Sequence, residues 1–361
     1  MFNKKYLAID VGNKKTKIVL GGIEKDKIVV DNYFIADTPS GIMDDGKIIN
    51  LNGLVALLKD SLKKGRIKGK RIVLSITGTG IITRDIQLPK STDEEIGKIL
   101  EFEAQQYFPV ELDNYVLDFK VLEEIDATDG IYNRILLVAV PVNQVEEYMK
   151  INKKLNKEVE AIDIPANNIC KVLFGESYVE NENSEKALPK EFAVLDLGAK
   201  TTGVYIFSSG KLKFSRILLN GSSDIDELIA SQLNVDFAKA EEVKIMVGNL
   251  ISDDEVLNPD SEDAEISNLI KPAVNNIMND INRFIDFYNS RSTGNRLEKI
   301  YLCGGGSKLK GMDVYFKNYF NIPVEYLDPQ KYAIYKGKRN PNEFLDDFIV
   351  LVNALGCLVR S

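Results

Sequence analysis

The chain contains no histidine and no tryptophan among its 361 residues. Without histidine it cannot use a Ser-His or Cys-His catalytic pair, a histidine general base or a histidine-containing zinc site. Any proton transfer must rely on carboxylates, lysine, tyrosine or water. The composition therefore excludes histidine-dependent enzymes before any motif is considered.

Cysteine, positive charge and long apolar runs are also scarce. The three cysteines, Cys170, Cys303 and Cys357, are odd in number and lie far apart in apolar sequence, which predicts buried, reduced thiols. A net charge of −8 argues against non-specific nucleic-acid binding, which requires a basic surface. No apolar run approaches the roughly 20 residues of a transmembrane helix, and polar residues 3–5 stand where a signal peptide would be apolar. We expect a cytoplasmic protein with no nucleic-acid partner and no direct membrane insertion.

One pattern occurs twice in the chain, at residues 6–20 and 192–207. In each copy an apolar run reaches an aspartate, then an apolar residue and a glycine, then a polar turn that contains threonine, and then a second apolar run. The matched residues are Asp10 and Asp196, and Gly12 and Gly198. This order predicts strand, tight turn and strand, and its repetition predicts two related domains.

Such a hairpin suits a phosphate chain. Glycine allows close approach of the backbone, and the amides of a turn form a cradle for anions. The hydroxyl groups of Thr16, Thr201 and Thr202 can add hydrogen bonds. An aspartate at the end of the first strand is well placed to hold Mg²⁺ through water, because this ion keeps most of its hydration shell.

Helix and strand periodicity divides the chain into four parts. They are a first domain (1–82 and 156–190), an inserted module (83–155), a second domain (191–220 and 299–361) and a helical subdomain (221–298). The inserted module has the order strand, helix, strand, strand, helix. The polar stretch 176–190 is expected to cross between the domains, and the acidic stretch 252–265 to form a solvated loop before a long helix over 266–290.

A glycine-rich turn follows the strand that begins at Lys299. The sequence Gly304-Gly-Gly-Ser307 connects this strand to a helix that we expect to start near Leu309. A strand, a glycine-rich turn and a helix allow a flat ring or a phosphate to approach the backbone. On its own this signal is weak, and its value comes from its position after the two hairpins.

The order of these motifs resembles the actin, Hsp70 and sugar-kinase superfamily, whose two related domains clasp ATP. Within it, the inserted module resembles that of the cell-division protein FtsA and of the PilM family of type IV pilus assembly proteins. The resemblance to the PilM family covers essentially the whole chain, including residues 353–360. It implies an α/β protein with a two-domain actin-like ATPase (ribonuclease H-like) fold, an FtsA-type inserted α+β subdomain, and ATP and Mg²⁺ as cofactors.

The resemblance also implies roles for individual residues. Asp10 and Asp196 would hold Mg²⁺ through water. The phosphates would be lined by Gly12, Asn13, Lys14, Thr16, Gly198, Lys200, Thr201 and Thr202. The nucleoside would lie between Glu241 and Lys244 on one side and Gly304, Gly305, Gly306 and Ser307 on the other. The catalytic candidate is Asp163, but Ile164 and Pro165 follow it with no glutamate nearby, which predicts nucleotide binding with at most weak ATPase activity.

The partners are likewise implied by resemblance. A PilM-like protein works at the cytoplasmic face of the inner membrane in type IV pilus assembly and twitching motility, or in the related type II secretion. It would bind the N-terminal cytoplasmic tail of the bitopic membrane protein PilN, and through PilN it would serve PilO and the assembly ATPase. Residues 99–108 and 135–140 of the inserted module are candidate walls of the tail groove, and self-association is open.

Three other interpretations remain open. An FtsA-like cell-division protein is the nearest, although such chains usually end in a linker and an amphipathic membrane helix and this sequence ends at Ser361. A small-molecule kinase would need a general-base aspartate in the inserted module, for which Asp113, Asp118 and Asp126 are candidates. A filament-forming ATPase would need only a heterologous self-interface.

Overall fold

The computed structural model describes residues 4–25, 27–175, 188–250, 262–291 and 296–360. Among the residues so described, no helix is both long and apolar enough to cross a bilayer. The three cysteines are buried and unpaired, as the sequence predicts. The expected domain crossing at 176–190 lies outside the described residues except for its last three positions.

The first part of the chain forms a meander, a small hairpin, a helix and a returning strand. These elements are β1 (Tyr6–Val11), β2 (Lys15–Glu24), β3 (Lys27–Asp37), β4 (Met43–Asp44), β5 (Lys47–Ile48), α1 (Leu51–Lys64) and β6 (Arg71–Ser75). Every residue of β1 is buried because this strand lies in the middle of a sheet, which explains its nearly unbroken apolar run. Helix α1 begins after Asn50, whose side chain accepts a hydrogen bond from the Gly53 amide.

The inserted module has the predicted order of elements. They are β7 (Ile82–Pro89), α2 (Asp93–Glu103), β8 (Tyr115–Ala127), β9 (Gly130–Pro141) and α3 (Val142–Leu155). A capping box between Thr92 and Glu95 starts α2. Tyr148 and Ile151 of α3 pack into the core of the first domain, whereas α2 covers one face of the module's own sheet. Helix α3 therefore fastens the module to the first domain.

The remaining chain repeats the meander and then adds helices. Its elements are β10 (Glu158–Asp163), α4 (Pro165–Phe174), β11 (Glu191–Leu197), β12 (Thr202–Ser208), β13 (Lys211–Leu218), α5 (Ser222–Leu233), α6 (Phe237–Val247), α7 (Glu262–Arg291), β14 (Lys299–Cys303), α8 (Met312–Phe320), β15 (Val324–Tyr326), α9 (Pro329–Tyr332), β16 (Ala333–Tyr335) and α10 (Pro341–Cys357). Helix α7 begins at Glu262, so the end of the expected acidic loop is helical, and residues 252–261 lie outside the described part of the chain.

In the described residues the strands form two large sheets, one three-stranded sheet and the two-stranded β4-β5 hairpin. The strand orders are β10-β6-β1-β2-β3-β16, β13-β12-β11-β14-β15 and β7-β9-β8. In each large sheet an antiparallel meander continues into parallel strands, since β1 pairs in parallel with β6 and β11 pairs in parallel with β14. The two halves of the chain therefore have the same arrangement around their hairpins.

The last part of the chain belongs to the first domain instead of the second. The assignment of 299–361 to the second domain is wrong for its last part, because β16 pairs with β3 in the first sheet. Helix α10 also packs there: Phe348 and Leu351 are buried in the same core as the residues of β1. The chain thus returns to the first domain, and this return places α10 beside both hairpins.

Candidate functional site

A cleft of about 740 Å³ lies where both hairpins, the glycine-rich turn after β14, helix α6 and helix α10 converge. Most of the residues that the sequence singles out line it. They are Asp10, Gly12, Asn13, Lys14, Asp196, Gly198, Lys200, Thr201, Glu241, Lys244, Gly304, Gly305 and Gly306. The fold therefore brings both halves of the chain to one site.

The first hairpin presents a carboxylate that is already paired with a lysine. The Gly12 amide donates to the Lys15 carbonyl at 3.0 Å and closes the turn. Asp10 stands opposite Lys17 in the ladder, and the Lys17 Nζ lies 3.0 Å from Asp10 Oδ2. The Asp10 side chain is only 8% exposed and that of Lys17 only 14%, so the pair is shielded from water.

The second hairpin has the same turn but a different partner for its carboxylate. The Gly198 amide donates to the Thr201 carbonyl at 2.9 Å. Asp196 stands opposite Gly203, and Asn353 of α10 donates its Nδ2 to Asp196 Oδ2 at 2.8 Å. Burial raises the pKa of Asp196, and the hydrogen bond from Asn353 only partly offsets this effect.

The backbone of the glycine-rich turn packs directly against the Asp196 carboxylate at Gly304. Gly304 has a φ of +86°, and a Cβ there would lie 2.5 Å from Asp196 Oδ1. Both facts require glycine at this position. The turn continues as a short 3-10 segment, and helix α8 begins at Met312, three residues after the expected start. The backbone of the glycines lines the cleft, while the start of the helix lies farther along the chain.

Helix α6 forms the opposite wall of the cleft. Glu241 forms an ion pair with Lys14 of the first hairpin, whose Nζ lies 2.7 Å from Glu241 Oε2. The Lys14 Nζ also lies 4.4 Å from the centre of the Phe237 ring. Lys244 is paired with Asp226 at 2.6 Å and donates to the Ser222 carbonyl at 3.1 Å. Lys244 therefore holds α5 against α6 while lining the cleft.

A second contact crosses the cleft in the opposite direction. Lys200 of the second hairpin lies 3.5 Å from Asp44 of β4, in the first domain. The turn lysine of each hairpin thus reaches a carboxylate of the other half, Lys14 to Glu241 and Lys200 to Asp44. These two ion pairs connect the two halves of the chain across the cleft.

Two expected phosphate contacts, Thr16 and Thr202, and one expected nucleoside contact, Ser307, are not brought to the cleft. Thr16, Thr202 and Ser307 are fully buried. Their hydroxyl groups are used within the fold: Thr16 bonds Thr38, Thr202 donates to a carbonyl at Asn220, and Ser307 donates to the Gly304 carbonyl. These hydroxyl groups support the turns from behind, and the sequence pattern did not reveal that they point away from the cleft.

Asp163 also lies apart from the cleft-lining residues. It is buried, and its carboxylate is paired with Lys171 at 2.8 Å and Arg360 at 2.9 Å. The other carboxylate oxygen, Asp163 Oδ1, accepts hydrogen bonds from the Asn167 side chain and from the backbone amide of Ile164. A carboxylate held by four donors joins β10, α4 and the chain end, so its surroundings are those of a structural ion cluster.

Several cleft residues were missed by the sequence analysis. Lys17 and Asn353 bond the two aspartates, and the register of the first hairpin would have predicted Lys17 opposite Asp10. Tyr205 lies on the cleft floor, while Ile245 and Met246 of α6 expose large apolar surfaces there. No local pattern marks Asn353, because it reaches the site only through the return of α10 to the first domain.

The donor set fits a magnesium nucleotide. Asp10 and Asp196 both line the cleft, and carboxylate oxygens are suitable ligands for Mg²⁺, directly or through its bound water. The Tyr205 hydroxyl and Asn353 Oδ1 are buried and lack a hydrogen-bond partner among the described residues. Burial, and then the charge of Asp196, raises the pKa of Tyr205 well above its ordinary value, so this hydroxyl remains a donor. Unused polar groups beside two carboxylates indicate a polar ligand.

A second groove of about 300 Å³ adjoins the cleft. Its walls come from the start of the inserted module, the turn before it, the start of α4 and strand β13. The residues that line both the groove and the cleft are Thr77, Pro165, Tyr205 and Ile217. A shared wall means that an occupant of one cavity touches residues that face the other.

The two stretches expected to form groove walls have different surroundings. In 135–140 the side chains of Ile135, Leu137 and Ala139 are buried in the module core. In 99–108 Phe102 is 86% exposed, whereas Phe108 is buried. Neither stretch lines the second groove, which the module approaches instead through Ile82–Arg84 and Pro109.

Comparison with known proteins gives consistent results. The family described as type IV pilus assembly protein PilM matches residues 8–361. FtsA of Bacillus subtilis (strain 168) is 22% identical over 270 residues, which cover 70% of this chain and 60% of FtsA. The chain thus spans less than two thirds of the length of that relative.

Solved structures establish the fold. The PilM-PilN type IV pilus biogenesis complex matches with a TM-score of 0.81 at 21% identity, covering 99% of this chain and 98% of that one. MreB5 of Spiroplasma citri bound to ADP matches with a TM-score of 0.54 at 15% identity, covering 98% and 94%. The expected actin-like fold with an FtsA-type insertion is confirmed, and the chain belongs to the PilM family of type IV pilus assembly proteins.

Proposed function

We propose that this protein is an ATP-binding scaffold of the type IV pilus assembly complex, held at the cytoplasmic face of the inner membrane by a membrane partner. The observation that carries the proposal is the cleft in which two matched hairpins bring Asp10 and Asp196 together with Lys14, Lys17 and Lys200. Bound ADP in MreB5, which has a similar fold, supports a nucleotide as the ligand.

Each part of the cleft suits one part of the nucleotide. Asp10 and Asp196 would hold Mg²⁺ through water, and the ion would neutralise phosphate charge. The amino groups of Lys14, Lys17 and Lys200 and the turn backbones bind phosphate oxygens. The exposed apolar side chains of Ile245 and Met246 cover the base from one side, and Gly304–Gly306 allow close approach from the other.

The same residues argue for slow hydrolysis at most. The connecting segment contributes Pro165 to the cleft, while the Asp163 carboxylate is paired with Lys171 and Arg360. A carboxylate engaged by two cations is a poor base for orienting and deprotonating water. We therefore assign the nucleotide a role in conformation and binding, with weak ATPase activity at most.

The partner is the N-terminal cytoplasmic tail of a PilN-like membrane protein. The structural match to a PilM-PilN complex supports this assignment. The groove formed by the inserted module, the first domain and strand β13 of the second domain offers the tail a site that shares Tyr205 and Pro165 with the nucleotide cleft. Because of this shared wall, nucleotide and tail should change each other's affinity by the same factor. Contacts with PilO, with the assembly ATPase and between copies of this chain stay predictions.

Calorimetry with a synthetic peptide tests the proposal. The peptide copies the cytoplasmic tail of the PilN-like protein encoded with this chain, and it is titrated into the protein with and without Mg-ATP. We expect micromolar binding whose affinity depends on Mg-ATP, and its loss in Ile82→Asp, which places a charge in the groove. Phe102→Asp is the matched control on the same module, outside the groove. No binding in either nucleotide state would refute the proposal.

A further inference from the structure

The groove carries a charge feature that the proposed function does not explain. Arg84 and Arg216 both line it, one from β7 of the inserted module and one from β13 of the second domain. Neither forms an ion pair with any carboxylate in the described part of the chain; their bonds go to backbone carbonyls. Arg84 donates to the carbonyls of Tyr107 at 2.8 Å and Thr83 at 2.9 Å, and Arg216 to that of Ser215 at 2.9 Å.

A nearby arginine shows what a satisfied guanidinium looks like in this region. Arg134 of β9 is buried and forms ion pairs with both Asp85 and Glu123. A guanidinium group has five N–H donors arranged for bidentate binding of a carboxylate. Arg84 and Arg216 leave most of theirs for a ligand.

Aromatic rings hold both guanidinium groups in place. The Arg84 guanidinium lies 5.7 Å from the centre of the Phe108 ring, and that of Arg216 lies 5.2 Å from the centre of the Phe214 ring. Packing around Arg216 and the positive charge of Arg84 both lower the pKa of Arg216. Two like charges held close together are stabilised by an anion placed between them.

The rest of the groove is suited to an extended chain. Its lining includes Ile81, Ile82, Ile164, Pro165 and Ile217, so the walls are largely apolar. Strands β7 and β13 are terminal strands of their sheets, and they approach each other at Thr83 and Ser215, whose hydroxyl oxygens are 3.5 Å apart. Terminal strands offer unused main-chain donors and acceptors to an extended segment.

We propose that this groove binds an extended segment of the partner with apolar side chains and one aspartate or glutamate, whose carboxylate is bound by Arg84 and Arg216 together. The inference rests on the proposed function, since it specifies which part of the partner tail is recognised. It requires the tail to contain an acidic residue next to apolar ones. Because the two arginines come from different domains, the carboxylate also joins the inserted module to the second domain.

The test is a double-mutant cycle by calorimetry at fixed salt. The probes are the partner-tail peptide and the same peptide with its acidic residue changed to the matching amide. We expect Arg216→Gln and Arg84→Gln each to weaken binding of the acidic peptide at least tenfold, and to leave binding of the amide peptide within about twofold. Arg283→Gln, at a side chain that is 77% exposed on α7, is the control for net charge and should change neither.

Different failures have different meanings. If the wild-type protein binds no tail peptide, the proposed function and this inference both fail. If it binds the acidic and amide peptides equally, or if both arginine variants weaken both peptides equally, this inference alone fails. Arg84 also donates to the Tyr107 carbonyl, so thermal melting is measured for each variant. If Arg84→Gln is unfolded, Arg216→Gln decides, because within the described residues the Arg216 side chain donates to a single carbonyl, that of Ser215.

Discussion

The two hairpins have the same backbone and different electrostatics. In both, the amide of a turn glycine donates to the carbonyl of the residue three positions later, and an aspartate is the penultimate residue of the first strand. Opposite that aspartate the first hairpin has Lys17, and the second has Gly203. Asp10 is therefore paired with a cation of its own hairpin, whereas the Asp196 carboxylate accepts a hydrogen bond from the neutral amide of Asn353 and has no ion pair within the described residues.

If the cleft binds a magnesium nucleotide as proposed, this difference would give the two hairpins different roles. The first hairpin would present the Lys17 amino group to the phosphates, in a position fixed by its ion pair with Asp10. The second presents a carboxylate whose pKa is raised by burial, an effect that the Asn353 amide and the charge of Lys17 only partly offset. A bound divalent cation would stabilise the charged form of Asp196, so we expect metal binding to depend mainly on Asp196 and phosphate binding mainly on Lys17.

Replacing Lys17, the lysine paired with Asp10 in the first hairpin, should have the largest effect on stability. Lys17→Met leaves Asp10 buried without its counter-ion, and we expect a loss of about 3 kcal/mol in the free energy of unfolding. Urea denaturation measures it. Lys5→Met, which removes an exposed partner of Asp31, is the control and should cost well under 1 kcal/mol. If both variants are equally stable, the pairing of Asp10 and Lys17 does not distinguish the hairpins.

Gly203, which stands opposite Asp196 in the second hairpin, should not tolerate a side chain. A Cβ at Gly203 would lie 2.5 Å from the Tyr205 hydroxyl oxygen, so Gly203→Ala should cost about 1–3 kcal/mol. Gly97→Ala in α2 is the matched control: nothing lies within 4 Å of its Cβ, and it should stabilise the protein by roughly 0.5–1 kcal/mol. Thermal melting compares the two. Equal shifts would mean that Tyr205 does not constrain this hairpin.

Neutralising the two aspartates should change stability in opposite directions. The pKa of Asp196 is raised in the folded protein, so folding is most stable below the unfolded-chain pKa and loses stability as pH rises through the folded pKa. Asp196→Asn should therefore stabilise the protein at pH 7, by up to about 1 kcal/mol, and the gain should shrink towards pH 4. Asp10→Asn, which leaves Lys17 unpaired, should destabilise it. Urea titrations at both pH values test the signs, and two losses at pH 7 would contradict the comparison.

The two lysines that cross the cleft should give the smallest effects. Lys14 and Glu241 are partly shielded and 2.7 Å apart, whereas Lys200 and Asp44 are more exposed and 3.5 Å apart. Double-mutant cycles with alanine should give a coupling free energy of about 0.5–1 kcal/mol for the first pair and near zero for the second. Raising the salt concentration should reduce the first value. A larger coupling for Lys200 would reverse the ranking.

The repeated pattern predicted the two hairpins, and periodicity predicted the order of elements in the inserted module, because both depend on local sequence and turn chemistry. The cleft between the two domains was implied by the resemblance to the actin-like superfamily. The positions of Thr16, Thr202 and Ser307 were not predictable in the same way, since the direction of a hydroxyl depends on which carbonyl packs behind it. Asn353 and β16 were missed for another reason. Their places depend on the return of the chain end to the first domain, which no short stretch of sequence records.

The most direct test of the account is calorimetric titration of ATP into the wild-type protein and Asp196→Asn, each with Mg²⁺ and with EDTA. Asp196→Asn is suited to it because we expect this variant to be at least as stable as the wild type at pH 7. The account predicts that Mg²⁺ strengthens ATP binding to the wild type at least tenfold and has little effect on the variant. Equal magnesium dependence in both proteins, or no ATP binding by the wild type, would contradict it.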